Sequence, residues 1–94
     1  MDPQAGRRPA LVVSPAAYNR VAGLALVCPI TTQIKGYPFE VLLPEGLPVL
    51  GAVLSDQVRN LDWRARKAAR ICRLPDEITA DVLGKLQSLL ARDQ

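Results

Sequence analysis

Apolar positions fall in short clusters separated by prolines, glycines and polar residues, until a different rhythm takes over near the C-terminus. Ala10–Val13, led in by Pro9 and closed by Ser14-Pro15, predicts a short strand. Leu24–Cys28 predicts a second, halted at Pro29, where the backbone loses its donor and φ is fixed. Phe39–Leu43, with Glu40 alternating against apolar neighbours, predicts a third. Val49–Leu54 predicts a fourth, with Ser55–Val58 as its continuation, and Asn60-Leu61-Asp62-Trp63 reads as a turn into a short basic strand over 64–69. The segment AAYNRVAG (16–23) fits either one helical turn or a hairpin loop, with Asn19 and Gly23 as turn formers.

The last element is a helix. Ile78, Val82, Leu83, Leu86, Leu89 and Leu90 recur at three- and four-residue spacing and form a wide apolar stripe. Pro75 and the pair Asp76-Glu77 suit the positive end of a helix dipole. Gly84 costs up to about 1 kcal/mol relative to alanine, a cost that close packing at that point would explain. Five or so short strands and a terminal helix define a mainly β chain, expected to form a small β-barrel capped by its C-terminal α-helix.

Composition narrows this further. Ninety-four residues make a single domain, 1–94, and a chain of this size buries only about 60–65% of its unfolded surface. Yet 49% of the residues are apolar, which excludes disorder and leaves a surplus suited to a homodimer interface. No apolar run approaches the roughly 18 residues of a membrane span, and no signal-peptide pattern opens the chain. Cys28 and Cys72 have no zinc spacing and histidine is absent, so a cytoplasmic protein without metal or cofactor is expected, its thiols serving as apolar fillers.

Charge is concentrated rather than abundant. The net charge is +3, but Arg59, Arg64, Arg66, Lys67, Arg70 and Arg73 face only Asp62 between positions 59 and 73, a local excess of +5. Such a stripe fits a polyanion or a solvated face equally. Without histidine, a Ser-His-Asp triad and the imidazole pair of many ribonucleases are excluded. What remains is arginine, hydroxyl and a few carboxylates. The hydroxyl-rich stretch LVCPITTQIKGYPFE (26–40) joins two apolar runs, and a polar cluster at strand ends is well placed to bind.

Three motifs, GRRPALVVSP (6–15), CPITTQIKGYPFEV (28–41) and LSDQVRNLDWRAR (54–66), together resemble the MazF/PemK family of toxin endoribonucleases, in that family's order and spacing. The resemblance runs from about Gln4 to the C-terminus. It implies a dimeric SH3-like barrel that cuts single-stranded RNA, mostly mRNA, at short sequence motifs, without metal, and that a cognate MazE-like antitoxin neutralises. It carries the catalytic arginine onto Arg8 and the catalytic threonine onto Thr31, with Gln33 and Lys35 in the loop that approaches RNA. Gln57, Arg59, Arg64 and Arg66 are the further RNA-binding candidates. The family pattern also has a strand and a flexible loop ahead of Gly-x-Arg-Pro, whereas this chain starts almost on the motif. A barrel without that first strand, open beside Arg8, is therefore expected.

The chemistry needs little from the protein, because RNA carries its own nucleophile in the 2′-OH. Arg8 offers a planar fork of donors for phosphate oxygens, and Thr31 a hydroxyl, a donor of the kind worth roughly 3–4 kcal/mol in a transition state. Arg8 is a poor base, since deprotonating it at neutral pH costs roughly 7.5 kcal/mol. The base stays open, with Glu40 and Asp56 either taking that part or holding loop backbone. Trp63 suits a core or interface anchor better than a stacking platform. Two rivals accompany the nuclease: a non-catalytic remnant that dimerises and binds antitoxin or RNA, and a toxin of the same fold aimed at a protein such as DNA gyrase. The second is disfavoured by the Arg8/Thr31 pair and the basic stripe.

Overall fold

The computed structural model describes residues 8–91. Along the chain run β1 (Ala10–Val12), α1 (Ala16–Ala22), β2 (Leu24–Thr31), β3 (Glu40–Leu42), β4 (Ala52–Leu54), β5 (Arg59–Asp62) and α2 (Asp76–Leu90). All pairings are antiparallel and three of the four involve β2. β5 pairs with its first half, from Leu24↔Asp62 to Val27↔Arg59. β1 pairs with its middle, from Val12↔Val27 to Ala10↔Pro29. β4 takes its end, at Ile30↔Val53 and Thr31↔Ala52, and β3 then adds to β4. β2 thus belongs to two sheets, and among the described residues the path β1-β2-β4-β3 does not close.

Pro29 does not halt β2. The backbone bonds Val13 N–H to Leu26 O (2.8 Å) and Ile30 N–H to Pro9 O (3.1 Å) fix the alternation of the β1–β2 ladder, and put Pro29 at a position that exchanges no bond with β1. On the opposite side, Pro29 falls between the last residue paired to β5 and the first paired to β4. Its missing donor costs no ladder bond there.

Two other expectations are corrected. Ser55–Val58 does not prolong β4. Ser55 is buried, its N–H and its hydroxyl both donate to Phe39 O, and Gln57 N–H turns back to Leu54 O. The basic strand over 64–69 is absent. The strand is Arg59–Asp62 instead, and the chain then turns: Asp62 Oδ1 accepts from Ala65 N–H (2.9 Å), and Ala68 N–H reaches Trp63 O (3.0 Å). A carboxylate that bonds backbone ahead of it in sequence favours a turn over a ladder.

Residues 16–22 settle as helix rather than hairpin loop, ended by Gly23, whose N–H bonds Asn19 O. The core lies where α2 packs against β3, and β2 and β4 contribute to it. It comprises Cys28, Val41, Val49, Val53, Leu74 and Val82, with Val53, Val82 and Cys28 fully buried. Of the helical stripe only Val82 is fully enclosed, while Leu83, Leu89 and Leu90 remain exposed. The close packing expected at Gly84 is not found, since a Cβ there would meet nothing within 4 Å.

Candidate active site

Thr31 ends β2 and is held from several sides. Its register partner is Ala52, and the preceding Ile30 is bonded to the segment before β1. Gly51 packs directly behind it. A Cβ at Gly51 would overlap the Thr31 carbonyl oxygen and lie 2.8 Å from its carbon, and φ there is +117°, a region for glycine. The Thr31 hydroxyl oxygen accepts the Gln33 N–H at 3.0 Å. That bond occupies a lone pair and leaves the hydroxyl proton available to a ligand.

Arg8 is exposed just ahead of β1. Its neighbour Pro9 is bonded through its carbonyl to Ile30, so one more step in the β1–β2 register sets Arg8 opposite Thr31. A cavity of about 690 Å³ is lined by Arg8, Thr32, Trp63 and Arg66 among mostly apolar residues. The structure therefore brings Arg8 and Arg66 to the lining of one cavity, while Thr31, bonded to Gln33, directly precedes the lining residue Thr32. Gly6 and Arg7 lie outside the described residues.

Other candidates stand apart. Lys35 is exposed on the arch between β2 and β3, its ammonium 5.9 Å from the Tyr37 ring centroid. Gln57 and Arg59 are exposed beyond the turn that follows β4. Arg64 is already committed: its guanidinium donates to Arg20 O (2.8 Å) and lies 4.9 Å from the Trp63 ring centroid, and its side chain packs on Gly23. A cation suits the carbonyl end of α1. Trp63 Nε1–H donates to Asn19 O (3.0 Å), so this ring is an anchor for α1. The basic stripe is spread over β5, the turn after it and the segment that leads to α2.

Glu40 is tied to the loop ahead of it. Its carboxylate accepts backbone N–H groups from Lys35, Gly36 and Tyr37. Sequence reading anticipated a loop-holding carboxylate there, but missed Gly51, whose contact with Thr31 spans twenty residues, and Thr32 as a lining residue of the cavity. In β2, burial, with Asp56 adding to it, pushes the Cys28 thiol above its ordinary value. Among the described residues, no three of His, Cys, Asp and Glu are grouped so as to hold a metal ion, and no helix is long and apolar enough to cross a membrane.

A bent antiparallel sheet sharing one strand, with a helix against its far end, defines a small β-protein with an exposed polar corner. Residues 2–90 match the family described as PemK-like, MazF-like toxin of type II toxin-antitoxin system, and the chain belongs to that family. The endoribonuclease toxin MazF of Escherichia coli K12 is 54% identical over 67 residues, covering 71% of this chain and 60% of that protein. The endoribonuclease PemK of Escherichia coli is 41% identical over 91 residues, covering 93% and 68%. The crystal structure of MazE-MazF (Form-III) from Deinococcus radiodurans superposes with a TM-score of 0.87 at 58% identity, covering 89% of this chain and 85% of that one. The match to the first of these relatives thus spans less than two thirds of its length.

Proposed function

We propose that this chain is a toxin endoribonuclease that cuts single-stranded RNA, chiefly mRNA, at a short sequence motif in the cytoplasm. The observation that carries this reading is the corner itself. The β1–β2 register, continued past the Ile30 N–H to Pro9 O bond, supports an Arg8 that faces Thr31, and Thr31 presents a hydroxyl whose proton is unspent. A phosphate placed between them receives a guanidinium fork from one side and a hydroxyl donor from the other.

The 2′-OH of the RNA attacks the adjacent phosphorus, and the P–O5′ bond breaks. The products are a 2′,3′-cyclic phosphate and a 5′-OH end. Arg8 and Thr31 stabilise the charge that grows on the non-bridging oxygens, and this route asks for no metal. With Glu40 occupied by three amides, Asp56, exposed at the turn after β4, is the remaining carboxylate candidate for the base. Gln33, Lys35, Gln57, Arg59 and Arg66 serve the RNA strand, while Arg64 acts through the framework.

The chain works as a homodimer, a reading supported by apolar side chains left exposed at Leu42, Leu83, Leu89 and Leu90. Its partner in the cell is a MazE-like antitoxin, a reading supported by the solved MazE-MazF relative. A second reading, a protein that binds RNA or antitoxin without cutting, draws on a sheet path that does not close among the described residues.

The test is a long RNA of mixed sequence incubated with the protein in EDTA, with the new ends mapped. Discrete cuts that disappear in Arg8→Ala and Thr31→Ala, both still folded, are expected. A fully active Arg8→Ala would overturn the mechanism. Binding without cutting would favour the second reading.

A further inference from the structure

Between Thr32 and Phe39 the chain leaves β2, arches outward and returns, and the arch hangs on one side chain. Glu40, the first residue of β3, accepts three successive backbone donors. Lys35 N–H lies 3.3 and 3.1 Å from its two oxygens, Gly36 N–H at 2.8 Å and Tyr37 N–H at 3.2 Å. The Glu40 N–H in turn donates to Tyr37 O (3.1 Å). Gly36 takes φ +80°, which lets its amide and its two neighbours point at one carboxylate.

This arrangement has two effects. It turns the arch amides inward, so that what remains outward is side chain: Ile34 and Tyr37, 51% and 59% exposed, and the Lys35 ammonium beside the Tyr37 ring. It also commits the carboxylate to backbone donors rather than to a ligand. An aromatic face, an apolar side chain and a cation are the groups that read unstacked bases, and they discriminate only when held still.

We propose that Glu40 is a positioning residue for RNA sequence choice. Its carboxylate fixes the 34–37 arch in the shape that selects the nucleotides beside the cut, without touching the scissile phosphate. This rests on the reading of the chain as an RNA-cutting enzyme. Glu40→Gln keeps one acceptor but turns an amide donor toward backbone donors, so it loosens the arch, and Glu40→Ala releases it.

The experiment compares the parent with both variants in two readouts. Amide exchange followed by NMR is expected to accelerate at Lys35, Gly36 and Tyr37, more in Glu40→Ala than in Glu40→Gln, and to stay unchanged along β2. In RNA cutting, preference for the parent's motif over its single-base variants is expected to fall about tenfold or more. The fall should come mainly through KM, with new cuts at other motifs. Released amides with an unchanged motif overturn the proposal. So does a folded variant with intact amide protection that has lost all cutting, because that places Glu40 in the chemistry. Should the parent itself cut nothing, the enzymatic reading fails on its own, and a panel of fully 2′-O-methylated RNA oligomers tests Glu40 separately. Affinities that differ between sequences in the parent and level out in Glu40→Gln uphold it; affinities level in both overturn it.

Discussion

The corner at Thr31 and the arch that follows it are neighbours in sequence, yet they keep their shapes by different means. The corner is set by backbone: the register of β2 against β1 and β4, and the absence of a side chain at Gly51. The arch is set by one ionised side chain accepting three amides. Backbone register is shared among many residues and moves only if the sheet moves. A side-chain latch is local and can change without disturbing the fold. The division would suit the proposed nuclease, in which the phosphate chemistry stays fixed while the preferred bases are free to differ.

Substituting alanine for three glycines separates these regimes. Gly51→Ala should be the most damaging, because it forces a methyl group into the Thr31 carbonyl at a φ that alanine resists. A stability loss of about 1–3 kcal/mol is expected from the overpacking, read by denaturant unfolding. Displacing Thr31 by about 1 Å should lower RNA cutting about a hundredfold. Unchanged cutting would mean that Thr31 is not held from behind.

Gly36→Ala meets open space, so only its positive φ resists the change. A cost of about 1 kcal/mol is expected, confined to faster exchange of the arch amides, with the Thr31 corner unaffected. An equal loss of cutting in Gly36→Ala and Gly51→Ala would erase the contrast. Gly84→Ala is the control. It lies in α2 with nothing within 4 Å, and should stabilise by up to about 1 kcal/mol without altering cutting.

The smallest effect concerns Cys28, in the strand that ends at Thr31. Its folded thiol pKa is raised, first by burial and then by Asp56. The unfolded thiol therefore ionises first, and stability present below about pH 8.5 is lost as pH climbs toward the higher folded value. Thermal unfolding measured from neutral to alkaline pH should show this loss, and Cys28→Ala should show a shallower one. Identical alkaline slopes would remove the thiol from the balance.

Local signals carried much of the fold. The apolar runs at 10–13, 24–28 and 39–43 and the helical stripe from Ile78 became β1, β2, β3 and α2 because each follows from its own periodicity. Pro29 misled because a proline is tolerated where neighbouring strands change over, and that depends on β4 and β5, far along the chain. The turn after Asp62 misled because one carboxylate outweighed an apolar-basic alternation. Arg8 and Thr31 stand as candidates through three motifs together. Their opposition across a ladder, and the contact of Gly51 with Thr31, are long-range and leave no local trace.

Because β2 is shared by both sheets, three of the four described ladders depend on a single alignment. Shifting that strand by one residue would mis-seat β1, β4 and β5 together, and every side chain along it would change faces. Near-native arrangements therefore lose many pairings at once, which widens the gap between the folded state and its closest competitors. The residue proposed to do the chemistry thus sits at the end of the strand whose alignment is checked by the most partners during folding.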